Sequence, residues 1–100
     1  GRITDSIMMP DGHFIPGEFM TTIFDDFPNA VETFQILQNE DFSLEVSFVP
    51  ANYINSFQEV NIVEKKLNEL CKKQVNIVFT QVESIPHERG KVKFVVSKLK

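Results

Sequence analysis

The chain has 100 residues, a formal net charge of −4 and 42% hydrophobic residues, which together fit one globular domain with its own core. This acidic balance excludes the basic surface typical of proteins that bind nucleic acids or anionic membranes. No hydrophobic run in the sequence approaches the roughly 20 residues of a membrane-spanning helix. Cys71 is the single cysteine, so the chain has no internal disulfide and fits the reducing environment of the cytoplasm.

The first quarter of the sequence contains a turn signal followed by a helical pattern. Asp11-Gly12 lies between two short hydrophobic segments, and this dipeptide is typical of a tight β-hairpin. Pro16 suits the first turn of a helix, since proline is tolerated where the backbone N–H has no helical partner. Hydrophobic residues then recur at helical spacing, which predicts a helix from about Glu18 to Phe27.

Alternating hydrophobic and polar residues mark the strands in the rest of the chain. Val31 to Gln38 and Leu44 to Val49 flank a polar turn, which predicts an antiparallel hairpin. A hydrophobic stripe predicts a second helix from about Ser56 to Lys73, with Ser56 and Glu59 forming a capping box. Two further strands alternate in the same way, and their inward-facing residues are expected to be Val75, Ile77 and Phe79 in one and Val92, Phe94 and Val96 in the other.

The order of these elements predicts the fold class. After the N-terminal hairpin the order is helix, strand, strand, helix, strand, strand. Helices that alternate with paired strands favour an α+β fold in two layers. We therefore expect an N-terminal β-hairpin followed by a ferredoxin-like two-layer sandwich, with two helices on one face of a mainly antiparallel sheet.

The segment before the last strand holds the residue best suited to chemistry. Gly90-Lys91 follows Pro86 by a short polar stretch, and we expect the pair at the tip of a hairpin. Glycine frees the backbone there, and the lysine ammonium is a mobile point charge that can reach an anion. A solvent-exposed lysine with no function is the ordinary alternative for such a pair.

Two motifs at opposite ends of the chain resemble those of one enzyme family. Gly1-Arg2-Ile3-Thr4-Asp5 resembles the hinge motif, and Pro86-x-x-x-Gly90-Lys91 resembles the catalytic-lysine motif, of the adenylate-forming (AMP-dependent) ligases. The likeness is to the phenylacetate-CoA ligase branch and its capsular polysaccharide (CapK-like) relatives. It covers residues 1–100 as that family's C-terminal, or lid, domain, so we expect a domain excised from a longer protein whose large N-terminal nucleotide-binding domain is absent.

The resemblance implies an activity and residue roles for the full-length protein. Such a ligase converts a carboxylate and ATP to an acyl-adenylate and then transfers the acyl group to a thiol such as CoA. Lys91 would be the catalytic lysine, in contact with the substrate carboxylate and the α-phosphate during adenylation. Thr4 or Asp5 would be the hinge between the adenylating and thioester-forming poses, and Arg2 would lie near the nucleotide.

The Asp11-Gly12-His13 turn corresponds to a loop that approaches the thiol acceptor in the family. An ordinary Asp-Gly hairpin without a ligand is the alternative. His13 and His87 could in principle serve acid–base or metal chemistry, but they lie in separate loops with no carboxylate or cysteine at metal-ligand spacing, so we expect solvent-exposed loop histidines and no metal site.

The resemblance also implies cofactors and partners. ATP with Mg²⁺ and CoA would serve the full-length protein, and none would be bound by this chain by itself. Its partners would be its own N-terminal domain and a carboxylic acid, and a homo-oligomer is left open. One alternative is a free-standing ferredoxin-like module for small-ligand binding or oligomerisation. Another is a small acyl-phosphate hydrolase, but the sequence offers no phosphate-binding loop with an arginine after its first strand.

Overall fold

A computed structural model of the chain describes residues 3–85 and 93–98. Its elements follow the predicted order closely. The strands and helices, in chain order, are β1 (Ile3–Thr4), β2 (Ile7–Met8), β3 (Phe14–Ile15), α1 (Gly17–Asp25), β4 (Val31–Gln38), β5 (Leu44–Pro50), α2 (Ser56–Leu70), β6 (Ile77–Gln81) and β7 (Lys93–Ser97). The predicted N-terminal hairpin is confirmed as the antiparallel pair β2–β3, which forms a small sheet of its own.

Within the described residues the main sheet has five strands in the order β1-β7-β4-β5-β6, and both helices share one hydrophobic core with it. The helices also contact each other, so the predicted α+β sandwich with two helices on one face is confirmed. The sheet was expected to be mainly antiparallel, but it is mixed. Only β4–β5 is antiparallel among its described pairs, whereas β1–β7, β4–β7 and β5–β6 are parallel.

The last two strands do not form the hairpin that the sequence suggested. β6 pairs with β5 and β7 pairs with β4, so the whole β4–β5 hairpin separates them. The reason is that α2 crosses over from β5 to a parallel β6, which leaves the far side of β4 open for β7. Lys91 was expected at the tip of a hairpin between these two strands, but β6 and β7 do not pair with each other. Lys91 itself lies outside the described residues.

The inward side of β7 also differs from the prediction. Val95 is fully buried and lies opposite the buried Ile36 of β4, whereas Phe94 and Val96 are half-buried. Ser97, on the same side as Val95, donates its hydroxyl to the buried side chain of Gln38. Because hydrophobic residues occupy both faces of this strand, its alternation could not indicate which face meets the core.

Helix α1 packs its hydrophobic side on the sheet as predicted. The Phe24 ring stacks on Phe34 of β4 with a centroid separation of 3.8 Å. Phe34 in turn contacts the Phe94 ring at 4.9 Å, so three aromatic rings join α1 to the centre of the sheet. Met20, one helical turn before Phe24, is completely buried in the same core.

Helix α2 is shorter than predicted and begins differently. It ends at Leu70 because Lys72 and Lys73 have φ values of +52° and +57°, a left-handed conformation that cannot continue a helix. The expected capping box is wrong as well. Asn55 is the N-cap and makes no side-chain capping hydrogen bond, while Ser56 is a buried residue of the first turn.

Candidate functional site

The loop of the N-terminal hairpin is the predicted acceptor loop, and its backbone is closely hydrogen-bonded. The Met9 N–H donates to the His13 carbonyl at 2.7 Å, and the Gly12 N–H donates to the Met9 carbonyl at 2.9 Å. Gly12 has φ +92°, a conformation that a residue with a side chain rarely adopts. The Asp-Gly pair in the sequence therefore marks a position where the backbone takes a positive φ that favours glycine.

Asp11 organises this loop through its carboxylate. Its Oδ1 accepts the backbone N–H of His13 at 3.0 Å and lies 3.0 Å from the His13 Nδ1. Its Oδ2 accepts a hydrogen bond from Gln74 Nε2 at 3.2 Å, which ties the loop to the segment after α2. The hydrogen bonds from His13 are the main cause that lowers the pKa of Asp11 to about 2, so this carboxylate is ionised throughout the physiological pH range.

A pocket of about 180 Å³, which we call the hairpin pocket, lies between this loop and the end of α2. Hydrophobic side chains and polar side chains both contribute to it. Its lining residues are Met9, Asp11, His13, Ile15, Leu70, Cys71, Lys72 and Gln74. A small pocket lined by hydrophobic side chains together with one anionic and one cationic side chain suits part of a mainly apolar ligand with polar ends.

The cysteine of the hairpin pocket is not a nucleophile. Cys71 is 1% exposed, and burial raises the pKa of its thiol to about 11. Since the thiolate is the reactive form, a thiol with this pKa is inert at neutral pH. No group of three potential metal-ligating residues occurs within residues 3–85 and 93–98.

The predicted hinge segment is part of the main sheet. Thr4 belongs to β1, which runs parallel to β7. The Asp5 N–H donates to the Val95 carbonyl at 2.9 Å, and the Asp5 Oδ2 accepts the Ser97 N–H at 3.1 Å. Rotation about Asp5 must therefore either break these bonds to β7 or carry β7 along with it.

Gln38 is a functional candidate that the sequence analysis missed. Its side chain is fully buried and binds the backbone of Met8 twice: Oε1 accepts the Met8 N–H at 3.0 Å, and Nε2 donates to the Met8 carbonyl at 2.7 Å. Nε2 also donates to the Phe42 carbonyl at 3.2 Å. The sequence did contain a signal for this role. Gln38 alternates with Phe34 and Ile36 and therefore lies on the inward face of β4, where a polar side chain requires buried hydrogen-bond partners.

Gln38 connects the predicted hinge segment with the predicted acceptor hairpin. Its Oε1 accepts a hydrogen bond from the Ser97 hydroxyl at 3.3 Å, and the Ser97 N–H donates to Asp5. A continuous set of hydrogen bonds therefore runs from Asp5 in the hinge segment through Ser97 and Gln38 to Met8 in the acceptor hairpin. We call these four residues the hinge–hairpin network.

The structure accordingly brings together some of the predicted site residues and not others. Asp11, Gly12 and His13 form one loop, and Thr4 and Asp5 lie beside β7. The predicted nucleotide-proximal Arg2 and the predicted catalytic Lys91 lie outside the described residues.

Two comparisons with known proteins bear on the family to which this chain belongs. A family model described as the CapK C-terminal domain matches residues 7–98, which is most of the chain. No curated protein matches it. Across the described part of the chain, neither helix has the length and apolar character needed to cross a membrane.

Proposed function

Because this chain belongs to the CapK C-terminal domain family, we propose that it is the mobile C-terminal domain of an AMP-forming, acyl-CoA-type ligase. The match over residues 7–98 is the observation that carries the proposal, since it extends across the acceptor hairpin and the Gly90-Lys91 pair. The full-length protein would act in the cytoplasm on a carboxylic acid. It would use ATP with Mg²⁺ and an acceptor thiol such as CoA.

Lys91 supplies the catalytic cation in this proposal. During adenylation the substrate carboxylate attacks the α-phosphorus of ATP, the bond to pyrophosphate breaks, and negative charge grows on the oxygens around the phosphorus. A lysine ammonium held beside these oxygens stabilises the transition state more than the ground state. Arg2 stands close to the same nucleotide when the domain is in the adenylating pose.

The hairpin serves the second half-reaction. In the thioester-forming pose, the Asp11-Gly12-His13 loop approaches the arm of the thiol acceptor. The hairpin pocket offers both hydrophobic and polar side chains to that arm, and the hydrogen bond between Asp11 and Gln74 ties the loop to the segment after α2. The acyl group leaves AMP and is bonded to the acceptor sulfur, whose proton is lost.

The test is exchange of labelled pyrophosphate into ATP by the full-length protein, with a panel of aliphatic and aromatic carboxylic acids. We expect exchange that depends on the acid. The isolated 100-residue chain should show no exchange and no heat of binding with ATP or AMP in isothermal titration, because its sequence contains no glycine-rich phosphate-binding motif. Full-length protein that is inactive with every acid, or micromolar nucleotide binding by the isolated chain, would contradict the proposal.

Proline substitutions test the hinge. Proline fixes φ near −65°, so Thr4→Pro or Asp5→Pro should trap one pose of the full-length protein and leave one half-reaction near normal. Asp5→Pro also deletes the N–H that donates to Val95, so Asp5→Ala, which retains that N–H, is its control. The rates of pyrophosphate exchange and of acyl transfer from preformed acyl-adenylate are the readout. If neither proline affects one half-reaction selectively, this segment is not the pivot.

A free-standing binding or oligomerisation module is the second candidate function. The observation that favours it is the open edge of the sheet: β6 has a neighbour, β5, on one side only among the described strands. Acid-dependent exchange by the full-length protein would distinguish the two candidates, since a binding module has no such activity.

A further inference from the structure

Among the strands that the structure describes, β6 (Ile77–Gln81) lies at an edge of the sheet, and it lacks the usual protection against pairing. Its partner β5 runs parallel to it in an unbroken register from Leu44–Ile77 to Phe48–Gln81. Residues 74–82 contain no charged residue and no proline, although 24% of the whole chain is charged. Monomeric proteins commonly guard such an edge with lysine, proline or a bulge, so an unguarded edge with β-branched residues favours pairing with another strand.

The hydrogen bonds to β5 identify which backbone groups of β6 face outward. The Asn76 carbonyl accepts the Leu44 N–H at 2.8 Å, and the Val82 N–H donates to the Phe48 carbonyl at 2.9 Å. Backbone groups alternate in direction along a strand, so residues of even number in β6 point their N–H and C=O toward β5. The N–H and C=O groups of the odd-numbered residues, Ile77, Phe79 and Gln81, therefore point to the open edge.

We propose that this edge binds the same edge of a second copy of the chain, in an antiparallel pair centred on Phe79. In this register Phe79 lies opposite Phe79 of the second copy, and Ile77 lies opposite Gln81. Each opposite pair exchanges both of its hydrogen bonds, so all the outward N–H and C=O groups of the strand are satisfied. The two sheets become one continuous sheet, and the proposal does not depend on the ligase function.

The charges beside the strand favour an identical partner in this orientation. The exposed Lys72 and Lys73 precede β6, and the exposed Glu83 follows it. Antiparallel pairing places the basic end of each strand beside the acidic end of the other, whereas parallel pairing would bring like charges together. A two-fold axis repeats this favourable arrangement at both ends of the interface.

The side chains on both faces of β6 fit the same register. On the face away from the helices, Val78 is 55% exposed and would lie opposite Thr80 of the second copy, which forms a β-branched cross-strand pair. On the helix side, an open groove of about 640 Å³ runs beside Ile77 and is lined partly by Asn61 and Asn68 of α2. Gln81 of the second copy would lie opposite Ile77 at this groove, where its amide has polar neighbours.

Hydrogen exchange measured by NMR on the 100-residue chain tests the register directly. As protein concentration rises from about 10 μM to about 1 mM, a range suited to a small interface, we expect the amides of Ile77, Phe79 and Gln81 to gain protection by tenfold or more. The amides of Val78 and Thr80 should be protected at every concentration because they donate to β5. A chain that sediments as a monomer throughout this range would overturn the proposal.

Charge variants test whether the pairing is specific. Val78→Lys combined with Thr80→Lys should weaken self-association by about tenfold or more, because like charges then lie opposite each other. Val78→Glu with Thr80→Glu should do the same, and mixing the two variants should restore a heterodimer. Each variant is checked for its fold by circular dichroism.

Ile54→Lys is the matched control, since Ile54 is hydrophobic and 92% exposed but lies outside β6. Sedimentation equilibrium is the measurement, and Ile54→Lys should associate like the unchanged chain. Dissociation by Ile54→Lys rather than by the β6 variants would assign the contact to the N-terminus of α2. No rescue on mixing would also overturn the proposed register.

Discussion

Replacing Lys91 by alanine in the full-length protein is expected to slow acyl-adenylate formation by about 10²–10³-fold, the usual cost of removing one preorganised charge-stabilising group. Transfer of the acyl group from a preformed acyl-adenylate should be nearly unchanged. The difference arises because negative charge develops around the α-phosphorus only in the first half-reaction. The side chain therefore stabilises one transition state and not the other.

Two measurements separate these steps. Pyrophosphate exchange follows adenylation, and single-turnover transfer from a supplied acyl-adenylate follows thioester formation. Lys98→Ala is the matched control, because Lys98 is an exposed lysine near the end of the chain whose described hydrogen bond, to the Gln38 carbonyl, comes from its backbone N–H. Equal losses in both half-reactions for Lys91→Ala, or an equal effect of Lys98→Ala on adenylation, would contradict the catalytic role.

Gln38→Leu is expected to lower the free energy of unfolding of the chain by about 2–4 kcal/mol. Each buried polar group that loses its partner costs about 1–3 kcal/mol, and this substitution removes the partner of several groups. Leucine preserves most of the side-chain volume, so the loss reports hydrogen bonding rather than a cavity. The substitution leaves the Met8 N–H and C=O, the Phe42 carbonyl and the Ser97 hydroxyl without the side-chain amide that now binds them.

Gln35→Leu on the same strand is the control for this prediction. The Gln35 side chain is half-buried and donates one hydrogen bond to the Lys93 carbonyl at 3.1 Å, so we expect a loss of about 1 kcal/mol or less. Urea denaturation followed by circular dichroism measures both variants. Similar losses for the two would mean that the hinge–hairpin network does not hold the hairpin to the sheet.

The local structure of this protein could be predicted from its sequence because the deciding interactions lie between near neighbours. Asp11-Gly12 predicted a hairpin, and the positive φ of Gly12 is the reason. The strand from Val31 to Gln38 has the predicted bounds, since its alternation meets a core on one face. The site was harder to predict: Asp11 was named, but its bond to Gln74 joins residues far apart in the chain.

The sequence by itself determined the type and order of the helices and strands, because hydrophobic period, turn residues and local backbone preferences act over a few residues. Only the tertiary structure decided which strands are neighbours. β6 and β7 follow each other in the chain but lie on opposite sides of the β4–β5 hairpin, because α2 returns the chain parallel to β5. This arrangement buries Val95, gives Gln38 its partners and leaves β6 at the edge of the sheet among the described strands. Each of these outcomes depends on long-range pairing that no local pattern in the sequence contains.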